Sequence, residues 1–496
     1  MTGIPVTTDD IEPRRLAARR RWHLVLAVAG IASLPYVTLL AGNVGQELDE
    51  LHLFAWWAIT LLASGAVLAG ILMLPERARR WSGAAWVVVL FLLFNLPGAV
   101  ALRDSIGWEI GDLAAWFVLA GLVLAIAIPL TSFDVVQSFV LVVAPLLLVL
   151  PTLEWIVGGS TIDTSIQDPG QSPAPTETFE HTPNIWYFVL DGFASQDFVR
   201  ERTGHDGSAF AGHLGELGFT VSADAESNYP ITILSVGAAL ELQYVYDGLE
   251  EPTGDSWFAR LQGHNWTVDT LTANGWSYAH TFPGFWRGSR CSGVEDFCFG
   301  TNGPLNDTEV ALADLTPLGF LLDQRSSPAV AHANNPAFVV EQVLAAGLPE
   351  PTFNFLHLLN PHPPYVRAAD CSIRDVKMEL SAWGDGSEYG DAVACLERQL
   401  TRAVDQILEV DDDPLIVIQG DHGPRFGVTR GLPGGVTYAE DMFFSIFSAV
   451  RLPAACDHLE IPADLSPVNT FRIVFACLRD EPVDLLEHVR YPIHRT

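Results

Sequence analysis

Lysine occurs once in 496 residues, at Lys377, so nearly all the positive charge is arginine. The balance is strongly acidic, with 27 Lys and Arg against 59 Asp and Glu and a net charge of −32. That excludes nucleic acid as a partner, because a phosphate backbone needs a basic surface. Cysteine is absent before residue 291, and the six that follow (Cys291, Cys298, Cys371, Cys395, Cys456, Cys477) include no C-x-x-C spacing. Zinc-ribbon and thioredoxin-like readings are therefore weak. An even number confined to one part of the chain suits disulfides formed in an oxidising compartment. Sequential neighbours are the favoured pairs, since Cys291/Cys298 and Cys371/Cys395 bracket short loops. No internal repeat is found.

Long apolar runs are present, but only in the first third. Residues 1–157 hold five, at about 23–42, 54–74, 84–102, 113–131 and 136–157, each near the length that crosses a bilayer. The polar start carries Arg14, Arg15, Arg19, Arg20 and Arg21, and no small-residue cleavage site follows the first run, so it is read as an anchor. Arg77, Arg79 and Arg80 lie between runs two and three, whereas Arg103 stands alone among acidic residues in the loops on the other side. Positive charge stays inside. The N-terminus is thus expected in the cytoplasm, and five crossings place residues from 158 onward outside. Trp22, Trp56, Trp57, Trp81, Trp108 and Trp155 near the run ends read as interfacial anchors. Charge within the runs is sparse, so no ion or proton pathway is expected.

Residues 158–183 are rich in Gly, Ser, Thr and Pro without periodicity and read as a linker. Residues 184–496 read as a water-facing domain with most of the acidic excess. Within it, strand patterns at 184–191, 218–223, 354–358 and 414–419 alternate with helical ones at 206–216 and 388–409, which predicts an α/β fold. Residues 251–330 receive no assignment.

The chemistry concentrates at strand ends. The run Leu415–Ile418 is apolar and β-branched, and Gly420-Asp421-His422-Gly423 follows it. A buried parallel strand would deliver both polar side chains to the sheet edge where α/β proteins bind ligands. Carboxylate oxygen with imidazole nitrogen suits a borderline divalent cation. The flanking glycines are expected to permit a sharp turn and leave room for a ligand. Asp191, before Gly192, ends the first strand in the same manner. In Ser227–Ser235, Pro230 suits a helix's first turn and sets Thr232 where free amides attract an anion. A hydroxyl there, activated by a cation, can attack phosphorus or sulfur. The alternative is that Thr232 and Ser235 satisfy backbone groups. His357 and His362 follow another strand-like run in a proline-stiffened loop, where a histidine can contact a ligand oxyanion or be an ordinary solvated loop residue; His362 is the better candidate, because the strand pattern can still include His357.

A strand ending in Asp-Gly, a Thr at a helix start, an H-x-P-type loop and an apolar strand into G-D-H-G together resemble the alkaline phosphatase/sulfatase superfamily. Five spans before such a domain are similar to lipoteichoic acid synthases and lipid A phosphoethanolamine transferases. The resemblance implies a transmembrane bundle plus an extracytoplasmic α/β domain with a mostly parallel central sheet. It implies that Asp191, Thr232, Asp421 and His422 hold one divalent cation (Mn, Zn or Mg), with Thr232 the covalent nucleophile and His362 contacting the transferred group. Arg425 is a further candidate for oxyanion contact. The implied substrates are a phospholipid or phosphodiester donor and an envelope glycan or water as acceptor. Three departures bear on this. The first ligand is Asp where those families also use Glu. Thr232-Ile233-Leu234-Ser235-Val236 lacks the C/S-x-P-x-R pattern of formylglycine sulfatases, and Lys377 is the sole lysine. No histidine lies between His422 and His458, which argues for a single metal. A sulfuric ester hydrolase and an inactive, envelope-binding relative are the alternative readings.

Overall fold

The computed structural model describes residues 8–42, 50–106, 108, 112–130, 143, 146–161, 178–252, 256–282, 290–300, 309, 312–313, 315–317, 334–363, 365–374, 386–424, 436–438 and 440–495. Two units emerge, Met1–Asp163 with Leu305–Asp323, and Thr164–Pro304 with Gln324–Thr496.

The first unit is helical: α1 (Thr8–Gly42), α2 (Glu50–Leu72), α3 (Glu76–Leu93), α4 (Leu96–Ser105), α5 (Asp112–Leu130) and α6 (Val149–Thr161). Among the described residues, Arg21–Ala41 and Leu51–Leu72 are each long and apolar enough to cross a membrane. Glu76–Leu93 and Leu96–Arg103 qualify only together and bend by 70° at their junction. The run expected at 84–102 is therefore two helices, and the cause is local. Pro97 has no amide to donate to the Leu93 carbonyl, and its ring crowds that carbonyl; the Leu96 amide donates instead to the Leu315 carbonyl at 3.2 Å. Leu113–Ala127 is a shorter apolar helix, and most of the run expected at 136–157 lies outside the described residues, as does most of the linker. Of the five expected spans, the described residues thus show two helices, or three with the bent pair counted as one, that are long and apolar enough to cross.

Small and branched residues one turn apart on α1 (Ala27, Val28, Ile31, Ala32) pack on Leu68 of α2 and Val87 and Leu90 of α3. Further along, Tyr36, Leu40 and Leu53 bury Leu312 from the later segment. Trp57 stacks on Tyr36 and donates to Ser33 Oγ, while Trp56 donates to Glu309 Oε1 at 2.8 Å. These two tryptophans, expected as interfacial anchors, thus have partners within the protein.

The second unit is built on a seven-stranded sheet. Its strands are β1 (Ile185–Leu190), β2 (Phe219–Val221), β3 (Ser277–Thr281), β4 (Phe297–Phe299), β5 (Thr352–Leu358), β6 (Leu415–Gly420) and β8 (Ser448–Arg451), in the order β2-β8-β6-β1-β5-β3-β4. Val436–Tyr438 (β7) and Ile493–Arg495 (β9) form a separate pair. β1 is central, parallel to β5 and β6 with Leu190 opposite both Leu358 and Gly420. β8 runs antiparallel to β6 and β2, so the sheet is mixed but mostly parallel, as expected. Every residue of β1, β5 and β6 is buried, the mark of a sheet covered on both faces.

The helices of this unit continue as α7 (Gln196–Thr203), α8 (Ser208–Glu216), α9 (Thr232–Glu241), α10 (Trp266–Ala273), α11 (Pro336–Ala346), α12 (Gly386–Val410) and α13 (Pro467–Arg479). Alternation along β1 decides which face each helix covers. Ile185, Tyr187 and Val189 pack with residues of α9, α10 and α13. Trp186, Phe188 and Leu190 pack with α11 and α12. Helices expected at 206–216 and 388–409 correspond to α8 and α12. The stretch left unassigned holds α10, β3 and β4. All three sequential disulfides form: Cys291–Cys298, Cys371–Cys395 and Cys456–Cys477.

Candidate metal centre

Because β1 and β6 are parallel and in register, their C-terminal ends release Asp191 and Asp421 at one sheet edge. The Asp191 amide still reaches the Leu358 carbonyl at 3.0 Å, and the Asp421 amide faces the Leu190 carbonyl at 3.4 Å, so both carboxylates are set by the ladder itself. Gly420 and Gly423 answer a tighter demand than the expected one. A methyl group at Gly420 would collide with the Phe193 carbonyl, and one at Gly423 with the Met442 carbonyl. These glycines admit neighbouring backbone rather than a ligand.

Thr232 is the first residue of α9, with Ile231 as the capping residue and Pro230 just outside the helix. The expected placement of Pro230 within the first turn is thus off by two residues, while Thr232 still lies among the free amides of the helix start.

Three side chains converge on one atom of a fourth. His422 Nε2 lies 3.4 Å from Thr232 Oγ1, 3.5 Å from Asp191 Oδ1 and 3.5 Å from Asp421 Oδ2. All four residues are buried. The other oxygen of Asp421, Oδ1, accepts from the amides of Gly192 (2.9 Å) and His422 (2.8 Å). His422 Nδ1 lies 2.8 Å from the Gly423 carbonyl. That carbonyl can only accept, so Nδ1 carries a proton, and Nε2 is the nitrogen turned toward the carboxylates. Two buried carboxylates beside that nitrogen call for compensating positive charge, which a bound cation supplies when Nε2 is unprotonated. The spacing fits one: a tetrahedral site with arms of about 2.1 Å has ligands about 3.4 Å apart. The residues present thus fit a divalent cation.

Burial pushes the Asp421 carboxyl upward, against hydrogen bonds from Gly192, Thr232 and His422 and the nearby His357. His357 is inside β5, fully buried, and held down at about 4 by burial, so it is neutral. His362 follows cis-Pro361 at the end of β5, on the edge that carries Asp191, and its Nδ1 approaches the Pro363 carbonyl at 2.6 Å. Arg425 lies outside the described residues. One other cluster of ligand-type residues occurs among the described residues, Cys291, Glu295 and Cys298, and its sulfurs are joined as a disulfide.

Sequence reading missed the groups that hold the cluster. Tyr389 on α12 donates to the Gly192 carbonyl at 2.8 Å and accepts from the Ala194 amide at 3.0 Å, clamping the turn after Asp191. Two residues before Asp421, Gln419 accepts from Tyr187 Oη and donates to Thr470 Oγ1 at 2.9 Å. Nothing local marks either residue; their partners lie far away in sequence.

Fold and site thus bring two carboxylates, an imidazole and a helix-start hydroxyl together at the sheet edge of an α/β domain. The family model described as Sulfatase matches residues 320–444, which include His362, Asp421 and His422. That stretch, about a quarter of the chain, is thus similar to the Sulfatase family. None of the curated proteins compared matches it. Solved structures similar to it include the C-terminal periplasmic domain of EcEptC from Escherichia coli, at 13% identity over 61% of this chain and 84% of that one, with a TM-score of 0.38. The soluble domain of lipooligosaccharide phosphoethanolamine transferase A from Neisseria meningitidis is 10% identical over 61% and 90%, with a TM-score of 0.39. The protein yidJ of Bacteroides fragilis, described as a proposed sulfatase, is 11% identical over 61% and 76%, with a TM-score of 0.37.

Proposed function

We propose that this chain is a membrane-anchored, cation-dependent transferase or phosphodiesterase that works outside the cytoplasmic membrane through a covalent Thr232 intermediate. The observation that carries the reading is the convergence of Asp191, Thr232 and Asp421 on His422 Nε2. Asp191, Asp421, His422 and the Thr232 hydroxyl would hold the cation, which when bound lowers the hydroxyl's pKa and draws charge from the phosphoryl oxygens. Thr232 Oγ1 attacks the phosphorus of a phosphodiester, and the bond to the departing alcohol or diacylglycerol breaks. The proton lost by Thr232 ends on that alcohol. A glycan hydroxyl or water then attacks phosphothreonine, restoring the Thr232 hydroxyl. The free amides at the start of α9 are placed to take the equatorial oxygens, and His362 reaches the transferred group. The helices Arg21–Ala41 and Leu51–Leu72 keep the site near a lipid donor.

A sulfuric ester substrate is the second reading, favoured by the family match at residues 320–444 and opposed by the missing formylglycine pattern. Thr232→Ala separates productive from unproductive assignments. It is expected to abolish turnover of phosphatidylethanolamine or phosphatidylglycerol in mixed micelles and leave the thermal transition in place. Activity retained in that variant would identify another nucleophile.

A further inference from the structure

The loop that presents Thr232 is held by a segment more than 250 positions away. Arg490 Nε donates to Glu226 Oε2 at 2.7 Å, and Nη2 pairs with Glu226 Oε1. Both carboxylate oxygens of Glu226 are thus engaged by one guanidinium fork, a geometry that lysine cannot reproduce. The remaining nitrogen, Nη1, donates to Asp441 Oδ1 at 2.7 Å, and the guanidinium lies 5.4 Å over the Phe444 ring. His488 Nδ1 approaches Glu226 at 3.8 Å.

These contacts join three pieces of chain. The first is Glu226–Ile231, which leads into Thr232. The second is Asp441–Ile446, which follows the Gly-Asp-His-Gly turn and holds it, since the Gly423 amide donates to the Phe443 carbonyl at 2.9 Å. The third is His488–Tyr491 itself. Backbone bonds knit the same three: Ser227 N to Phe444 O at 2.7 Å, and Tyr491 N to Asn228 O at 2.9 Å. Asn228 Nδ2 donates to Val489 O at 3.1 Å, and the Tyr491 ring stacks on Tyr229 at 5.1 Å and 16°. Inside the loop, Ser227 Oγ bonds the Tyr229 carbonyl at 2.6 Å and Ser235 Oγ, one turn into α9, at 3.0 Å. A shift at Glu226 therefore reaches the start of α9 through fully bonded backbone. A shift at Asp441 reaches Gly423 and the His422 ring that Gly423 orients.

Nothing else among these contacts bridges both sides of the cluster through one side chain. We infer that Arg490 is a positioning residue, which sets the separation between the Thr232 hydroxyl and His422 by binding Glu226 and Asp441 at once. The inference rests on Thr232 being the nucleophile and adds the group that aims it. Among the described residues Arg490 bonds Glu226 and Asp441 and not the cation ligands, so its loss acts on where the Thr232 hydroxyl sits. Displacements of about 1 Å far from the chemistry cost up to about a hundredfold in rate.

The test uses the full chain in detergent, loaded with zinc, with mixed micelles of phosphatidylethanolamine and phosphatidylglycerol. Arg490→Ala is expected to lower kcat by at least about tenfold at saturating zinc, with KM within about twofold of wild type and zinc bound more weakly, since Thr232 and His422 are both cation ligands. Glu226→Gln should do the same, and the double variant should be no slower than the slower single, because both act through one pair. Arg490→Lys should recover only a minor part of the rate. Amide exchange at Ser227 and Tyr491 should quicken in Arg490→Ala, a readout that needs no substrate and also decides the matter if neither lipid turns over. Unchanged kcat or unchanged exchange in the Arg490 variants, beside an inactive Thr232→Ala, overturns this inference alone. Additive losses in the double variant overturn it too. An active Thr232→Ala overturns the nucleophile assignment beneath it, whatever the Arg490 variants do. Should Arg490→Ala fail to fold, Glu226→Gln and Arg490→Lys carry the same comparison.

Discussion

Asp421 and His422 were legible as residues because a short motif puts two ligand types side by side at the end of an apolar run. Asp191 and Thr232 were legible only jointly, since either one alone is an ordinary turn or helix-start residue. What the pattern could not reveal was how the ligands are aimed. Asp421 Oδ1 is occupied by two amides and His422 Nδ1 by the Gly423 carbonyl, which directs the remaining donor atoms inward. The Tyr389 hydroxyl is equally invisible in sequence, because a tyrosine on a helix carries no local sign of a partner almost 200 positions away. Its removal is a clean probe. Tyr389→Phe deletes one bond to the Gly192 carbonyl and one from the Ala194 amide and leaves both groups buried. A loss of about 1–3 kcal/mol is expected in denaturant unfolding, with lowered zinc affinity as the Asp191 turn loosens. Unchanged affinity would show that the strand ladder alone sets Asp191.

Elements with strong periodicity or continuous apolarity were readable: β1, β5, β6, α8 and α12. β3 (Ser-Tyr-Ala-His-Thr) and β4 (Phe-Cys-Phe) were not, being a polar strand and a three-residue strand at one end of the sheet, too short to show a period. β8 breaks the parallel pattern in four residues. The elements are also tied by pairs no pattern predicts. The connection between α7 and α8 is fixed to α12 by His205 Nε2 and Glu397 Oε2 at 2.7 Å. The hydrogen bond to Glu397 raises the His205 pKa, burial opposes this, and Asp206 and Arg398 act weakly in opposite directions. A raised folded-state value means the charged pair stabilises most below the unfolded value of about 6.5 and loses its effect as pH rises through the folded value. Melting of wild type against Glu397→Gln should therefore differ by at most about 1 kcal/mol at about pH 6, since solvent screens the partly exposed imidazole, and the difference should shrink toward alkaline pH. A difference that grows with pH would contradict the pairing.

Over the whole molecule, the sequence separated the apolar first third from the acidic remainder, because bilayer length and charge balance are coarse properties. It did not foresee that α3 and α4 bend apart at Pro97, nor that Leu305–Asp323 groups with the helical unit. A hydropathy run registers apolarity and is blind to a lost helical bond. The arginine asymmetry makes a topological prediction: a phosphatase reporter fused after residue 496 is active and a cytoplasmic fluorescent reporter there is dark, with the pattern reversed for a fusion at residue 80. Cytoplasmic signal after residue 496 would remove both the oxidising environment for the disulfides and access to an envelope acceptor. The account as a whole depends on one cation held by four side chains. Zinc-edge anomalous diffraction from crystals of the full chain tests that directly. It should give a single peak within about 2.0–2.2 Å of donor atoms from Asp191, Thr232, Asp421 and His422. A peak elsewhere, or one bound without Thr232, would contradict it.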